Sequence, residues 1–227
     1  MIFCHAEGAG KPDQAVVFAR LSDSGTGAGY NPADAASPRP VHTRRPTELN
    51  APTDPRQLAA GDFSALAEQL ERRITGEVRF DTAARATYSA DASNYRQIPI
   101  GVVLPRSIGD IVETIDICRE FGAPILPRGG GTSQNGQCVN VAVVIDTSKS
   151  LNRVLEVDPS AKTARVEPGA VCDTLRDAAE KHALTFGPDP ATHSRCTLGG
   201  MIGNNSCGAH SVMAGKTVDN IETLDIL

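Results

Sequence analysis

The chain has no uninterrupted run of eighteen apolar residues, which excludes a helix reading as a bilayer span. Its first residues, MIFCHAEGAGKPDQ, lack the basic stretch followed by an apolar core that marks a secretory signal. Basic excess is missing as well. Lys and Arg number 22 against 27 Asp and Glu, a net charge of −5, which argues against a nucleic-acid backbone as partner. None of the six cysteines stands in C-x-x-C spacing. With neither that motif nor an export signal, reduced thiols are expected rather than a disulfide framework.

What is present divides the 227 residues unevenly. Residues 1–56 are rich in Gly, Ala, Pro, Ser and Asp and end in SPRPVHTRRPTELNAPTDPR. Prolines there block regular elements, so the span reads as a disordered leader, with AVVFARL (15–21) as a short strand or helix. Order is expected from Asp62. FSALAEQLERRI puts Phe63, Leu66, Ala67, Leu70 and Ile74 on one helical face, with Asp62 as N-cap and Gly76 as stop. Then come the strand EVRF, a short capped helix in DTAARATYS, and the apolar strand IPIGVVLP. SIGDIVETIDICREFG gives a helix with Ile108, Ile111, Val112, Ile115 and Cys118 as its stripe, opened by Ser107 and Asp110 as a capping box. APIL and VAVVID complete a β-α-β unit, lobe one, about residues 77–150. Lobe two, about 151–227, holds the hairpin RVLEVD–TARVEP, the helix AVCDTLRDAAEKHAL and a last strand in IETLDIL. Two α/β lobes, each with a glycine-rich segment, are what a ligand held between lobes needs.

The first such segment is PRGGGTSQNGQ, residues 127–137. Three successive glycines are entropically costly, and the strand signals on both sides make the loop a site rather than a spacer. It is not a P-loop. Gly131 and Gly136 have the spacing, but Gln137 and Cys138 stand where Lys and Ser/Thr are required. Nor is it a dinucleotide fingerprint, since Gln134 fills the third glycine position and a strand comes next instead of a helix. It does offer backbone N–H groups for an anion and Thr132, Ser133 and Asn135 as side-chain donors.

The second segment contains TLGGMIGNNSCGAHS, residues 197–211. Its small residues admit a flat ligand or another backbone; tight packing of a helix start on a sheet is the plainer alternative. His193, Cys196, Cys207 and His210 form H-x-x-C and C-x-x-H pairs, which opens a zinc reading. The intervening LGGMI favours burial, and a thiol there also reads as a small buried hydrophobe.

Taken together, SADASNY (89–95), IPIGVVLPRSIGDI, PRGGGTS and PDPATHSRCTLGGMIGNNSCGAHSVMAGKTVDNIETL resemble the FAD-binding domain of the vanillyl-alcohol-oxidase/PCMH flavoproteins. The bacterial D-lactate, glycolate and D-2-hydroxyglutarate dehydrogenases are the most similar branch. The resemblance implies an α+β fold: a PCMH-type domain of two α/β lobes over residues 57–227, truncated at its C-terminus. It implies FAD at the first loop, through Pro127, Arg128, Gly129, Gly130, Gly131, Thr132, Ser133, Asn135 and Gly136. The second segment is implied to flank the ribityl chain and flavin ring, through Ala191, Thr192, His193, Ser194 and Thr197 on one side. Gly199, Gly200, Asn204, Asn205, Ser206 and Cys207 stand on the other. Arg128 is expected to be structural or phosphate-facing. Some relatives attach FAD through a His directly after the glycines; Thr132 stands there, so FAD is expected to be noncovalent.

The implied activity is oxidation of a 2-hydroxy acid by hydride transfer to FAD, with a quinone, cytochrome or Fe–S module as electron acceptor. The implied location is cytoplasmic, or peripheral at the inner membrane. No catalytic residue is assigned, because relatives draw theirs from a later cap domain. The chain is therefore expected to be a fragment that does not turn over substrate alone, with IETLDIL as an uncovered strand prone to aggregate. The alternative is a flavin- or zinc-binding fragment without activity of its own. Gly130→Val is expected to cost flavin binding more than stability, its strain being about 1–3 kcal/mol if position 130 is left-handed.

Overall fold

The computed structural model describes residues 17–23 and 62–227. Lobe one is built on a four-stranded sheet in the order β3-β4-β6-β5. Its strands are β3 (Glu77–Arg79), β4 (Gly101–Leu104), β5 (Ile125–Arg128) and β6 (Val143–Asp146). β6 lies parallel between β4 and β5, while β3 runs antiparallel to β4. Central placement explains the sequence of β6: Val143, Val144 and Ile145 are fully buried, as a strand covered on both faces requires. Helix α1 (Ser64–Arg73) and helix α3 (Ile108–Glu120) pack on this sheet. Leu66, Leu70, Val103, Ile117 and Val143 form one core; each side chain of that size contributes about 1.5–3 kcal/mol by its burial. Helix α2 (Thr82–Thr87) is capped by Asp81, whose carboxylate accepts from Ala84 N–H at 3.0 Å.

Lobe two carries the antiparallel sheet β10-β1-β8-β7, with β1 (Val17–Arg20), β7 (Val154–Asp158), β8 (Thr163–Val166) and β10 (Ile221–Leu224). A two-stranded pair joins β2 (Ser22–Asp23) to β9 (Leu184–Thr185). Helix α4 (Cys172–Glu180) turns Cys172, Leu175 and Ala179 into a core with Ala164, Val166, Phe186, Leu198 and Met201. Short helices α5 (Leu198–Asn204) and α6 (Ser211–Ala214) come next, then a 3-10 turn, Thr217–Asn220. Among the described residues no helix is long and apolar enough to cross a membrane.

Several sequence expectations change. The span 1–56, read as a disordered leader, contributes β1 and β2. β1 sits between β8 and β10, pairing Ala19 with Ala164 and Ile221, and Ala19 and Leu21 are buried. AVVFARL reads as a short strand or helix, but its partners lie far along the chain, so its place in the sheet is not announced. The rest of that span, and the disorder expected of it, falls outside the described residues. Lobe one also begins before residue 77, because α1 supplies Leu66 and Leu70 to its core. The stripe of α3 is rotated from the expected one. Val112 is 40% exposed, while Thr114 and Ile117 are fully buried.

The caps differ in detail. Phe63 occupies the N-cap position of α1, and Asp62 accepts from Ser64 N–H at 2.9 Å instead. At α3, Ser107 accepts from Asp110 N–H at 3.1 Å. The Asp110 carboxylate turns away to accept from Thr75 N–H at 2.9 Å and Arg106 N–H at 2.8 Å. It thereby ties the end of α1 to the start of α3. Burial pushes the Asp110 carboxyl up, but these N–H donors outweigh it and hold it below the usual carboxylate range.

Candidate cofactor site

The glycine loop leaves the end of β5. Pro127 is paired with Ile145 across the sheet, and Arg128 anchors the glycines after it. The Arg128 guanidinium donates to the carbonyls of Tyr88 (3.2 Å), Cys138 (3.1 Å) and Ala90 (2.7 Å). It lies 5.2 Å from the centroid of the Tyr88 ring, within cation–π range. Tyr88 in turn donates its hydroxyl to Asp146 Oδ2 at 2.6 Å; burial first, then this bond to a carboxylate, pushes the phenol up. The side chain of Arg128 is therefore spent on carbonyls of the 88–90 segment and of Cys138 at the far end of the loop, which fixes it structurally and takes these donors away from a phosphate.

The three glycines are needed for two different reasons. A Cβ on Gly129 would stand 2.0 Å from Thr197 Oγ1, and one on Gly130 would stand 2.3 Å from the Arg195 carbonyl oxygen. Both positions are pressed against the second glycine-rich segment. Gly131 is left-handed, with φ +63°, a conformation that glycine adopts without penalty. Gly130 is not a positive-φ position, so the strain expected of Gly130→Val is replaced by collision with a backbone carbonyl. Gly136 is also left-handed, φ +80°, beneath the Tyr95 ring. SADASNY closes over the loop from this side, with Ala92 N–H donating to the Gly131 carbonyl at 3.0 Å.

Among the described residues, the N–H groups of Gly130, Gly131 and Thr132 find no acceptor in the chain. Successive free N–H groups around a left-handed residue make a concavity for an anion. Thr132 and Ser133 are half-buried beside it and Asn135 is exposed.

The second segment behaves differently. Leu198 N–H donates to the Ala170 carbonyl and Gly199 N–H to the Pro168 carbonyl, both at 2.8 Å. Thr197, the N-cap of α5, accepts from Gly200 N–H at 3.4 Å. The start of α5 is thus closed by its own chain, whereas the first loop keeps its N–H groups open. Gly199 faces Pro168 at 3.0 Å from its would-be Cβ, the close packing that was the plainer reading. Gly200 is exposed, with only Thr197 Oγ1 near its missing Cβ.

The other side chains of this segment are spread over both lobes' edges of the loop. Ala191 and Ser194 are exposed on the turn before Cys196, and Thr192 accepts there through its carbonyl, from Arg195 and Cys196 N–H. His193 presents Nδ1 to Asp173 Oδ1 at 2.7 Å. Asn204 accepts from Gln137 Nε2 at 3.2 Å, a direct link between the two glycine-rich segments. Asn205 is left-handed, φ 46°, and accepts from Val218 N–H at 3.1 Å. The Ser206 carbonyl accepts from Thr217 N–H and hydroxyl. Cys207 is an exposed free thiol.

The four residues of the zinc reading diverge. His193 is held by Asp173, His210 by Asp189, and Cys196 is buried. No group of three or more His, Cys, Asp or Glu among the described residues could hold a metal ion. Asp189 accepts from both the ring and the backbone N–H of His210. Burial raises its carboxyl, and these two bonds outweigh that and hold it low. Asp173, Asp189, Gln137 and the Arg195 carbonyl were all missed by sequence reasoning, since each acts through a contact made only in three dimensions.

A loop of free N–H groups pressed against a small-residue segment from a second lobe has the shape and donors that a phosphate-bearing cofactor requires. The family described as FAD binding domain matches residues 99–227, and the chain belongs to that family, with FAD as its cofactor. D-2-hydroxyglutarate dehydrogenase of Escherichia coli (strain K12) is 36% identical over 159 residues, 69% of this chain and 16% of that protein. Glycolate oxidase subunit GlcD of Bacillus subtilis (strain 168) is 35% identical over 164 residues, 70% of this chain and 35% of that protein. The chain therefore spans a minor part of the length of each relative. Among solved structures, alkyldihydroxyacetonephosphate synthase aligns with a TM-score of 0.63 at 24% identity, over 70% of this chain and 32% of that one. p-Cresol methylhydroxylase aligns with a TM-score of 0.56 at 17% identity, over 64% and 30%. The fold is of the PCMH type.

The residues present fit FAD. The three unused N–H donors match a pyrophosphate, and no side chain at 129–131 stands over them. Asn135 and the exposed α5 positions Gly200, Gly203 and Asn204 leave an open polar margin beside it.

Proposed function

We propose that this chain is the FAD-binding part of an oxidoreductase that oxidises a 2-hydroxy acid of the D-lactate, glycolate or D-2-hydroxyglutarate class. The single observation that carries the cofactor half of this reading is the free N–H run of Gly130, Gly131 and Thr132, set where the two lobes meet. The substrate half is supported by the names of the relatives, a D-2-hydroxyglutarate dehydrogenase and a glycolate oxidase subunit. When bound, FAD supplies the hydride-accepting chemistry. The protein's part is binding and orientation. The first loop holds the pyrophosphate through backbone N–H groups, with Thr132 and Ser133 as hydroxyl donors. Thr197 to Gly200 form the floor against which the loop is pressed, and Asn204 keeps the two segments in register through Gln137.

The reading includes noncovalent attachment, because Thr132 stands directly after the glycines and offers no ring nitrogen to the cofactor. Acid precipitation of the FAD-loaded protein is expected to release yellow flavin to the supernatant; colour kept by the washed, denatured pellet would contradict it. It also includes a cytoplasmic protein, peripheral at most to the inner membrane, that passes electrons to a quinone, cytochrome or Fe–S module. The free state of Cys118, Cys138, Cys172, Cys196 and Cys207 supports the reducing, cytoplasmic location alone. Substrate class is tested in the protein as its host makes it. Anaerobic addition of D-lactate, glycolate or D-2-hydroxyglutarate is expected to bleach the bound flavin with one of the three. A flavin left oxidised by all three contradicts the class. Residues 1–227 alone, loaded with FAD, are expected not to sustain reduction of a dye, since they span 16% and 35% of the lengths of the two relatives.

A further inference from the structure

Beneath the second glycine-rich segment lies a pair of thiols that cofactor binding does not use. Val171 and Thr197 form an isolated antiparallel bridge. One step along, Cys172 N–H donates to the Cys196 carbonyl at 3.0 Å, which sets the two cysteines opposite each other. Residues opposite in an antiparallel pair have Cα atoms about 4.5–5.5 Å apart with side chains on one face, inside the about 4.4–6.8 Å that a disulfide spans. Both belong to the lobe-two core; Cys172 is fully buried and Cys196 is 6% exposed. The Cys172 thiol donates to the Pro188 carbonyl at 3.7 Å. The neighbouring Cys196 thiol first, then burial, raises Cys172, while the Cys172 thiol lowers Cys196 against its burial, so Cys196 ionises first.

We propose that Cys172 and Cys196 are an oxidation site that closes to an intrachain disulfide on exposure to hydrogen peroxide. The Cys196 sulfur attacks one peroxide oxygen, the O–O bond breaks, and one water leaves with the Cys196 sulfenic acid formed. The Cys172 sulfur then attacks the Cys196 sulfur, the S–OH bond breaks and a second water leaves. Two thiols and one peroxide give one disulfide and two waters; the thiols lose two electrons and the peroxide gains them. A small oxidant is required because Cys196 is so little exposed, and glutathione disulfide is excluded by its size. The crosslink would tie the residue before Thr197, the neighbour of Gly129, to the start of α4. The proposal does not depend on the reading of substrate or cofactor.

The test is peptide mapping of the full chain. Reduced protein is treated with peroxide, free thiols are blocked under denaturing conditions, and the protein is cut with trypsin. The expected product joins VEPGAVCDTLR (166–176) to CTLGGMIGNNSCGAHSVMAGK (196–216), two hydrogens lighter than its parts, with fragment ions placing the bond on Cys196. Dithiothreitol should abolish it, and glutathione disulfide should not produce it. In Cys196→Ala, Cys172 should remain free to alkylate after peroxide. The proposal is overturned if both thiols are alkylated after peroxide as before it, or if the bond falls on Cys207. It is equally overturned if Cys196 reaches the sulfinic acid with Cys172 still free, or if a urea-unfolded chain forms the same link as fast as the folded one.

Discussion

A methyl group on residue 129 would have to share space with the Thr197 hydroxyl, 2.0 Å from its Oγ1. Gly129→Ala is therefore expected to push the loop off the second segment and to cost about 1–3 kcal/mol, the usual range for overpacking, read as a lower urea midpoint. Gly203 is the matched control. It lies in α5, is exposed, and nothing stands within 4 Å of a Cβ built there. Gly203→Ala is expected to stabilise by about 0.5–1 kcal/mol through helix propensity alone. A loss in both variants, or in neither, would show that contact with Thr197 is not what position 129 is kept free for. The glycines were legible in the sequence as a close approach, but not what they approach. Gly129 and Gly130 meet protein, and only the N–H groups remain for a ligand.

At the scale of elements, Asp110 joins α1 to α3. Its folded carboxyl is depressed by the Thr75 and Arg106 N–H groups against the pull of burial. A depressed carboxyl contributes stability that is fully present above its unfolded value, about 3.9, and that is lost as the pH falls through the lower folded value. Asp110→Asn is expected to cost about 1.5–3 kcal/mol at pH 7, the range for hydrogen bonds to a charged group. The gap between variant and parent should shrink below about pH 4. Urea midpoints across pH 3–7 check this; a constant gap would mean that the charge does not carry the bond. The sequence placed α3 and its cap at Ser107 well, because capping is local. It misassigned the partner of Asp110, which lies 35 residues away in the chain, and it rotated the buried face, because Thr114 satisfies its hydroxyl on the Asp110 carbonyl at 2.6 Å and so can be buried. β1 shows the same limit: AVVFARL was legible as a short strand or helix, but not its pairing with β8 and β10 far along the chain.

The described residues form two lobes whose glycine-rich segments touch, and the resemblance carried by those segments was enough to name fold and cofactor. How the segments share the work was not legible. Both read as ligand-facing, yet the N-terminus of α5 is closed by Ala170 and Pro168, while the first loop keeps its donors. Arg128 is expected to matter as the staple of that loop. Arg128→Ala should weaken FAD binding by about tenfold or more, as loss of about 1.4 kcal/mol does, by releasing the Tyr88, Ala90 and Cys138 carbonyls rather than by removing a phosphate contact. Soaking the variant in guanidinium at low concentration should then restore part of the affinity. If the parent and Arg128→Ala bind FAD equally, the staple has no bearing on the loop.

The central claim is that the free N–H groups of Gly130, Gly131 and Thr132 hold the pyrophosphate of FAD. Fluorescence titration of the protein with FAD and with riboflavin, which has the same ring and no phosphate, tests it most directly. Quenching by saturable FAD binding is expected, with riboflavin at least about a hundredfold weaker, the loss of about 2.7 kcal/mol of charge-assisted hydrogen bonding. Equal affinity for FAD and riboflavin would place the binding energy on the ring and contradict the claim.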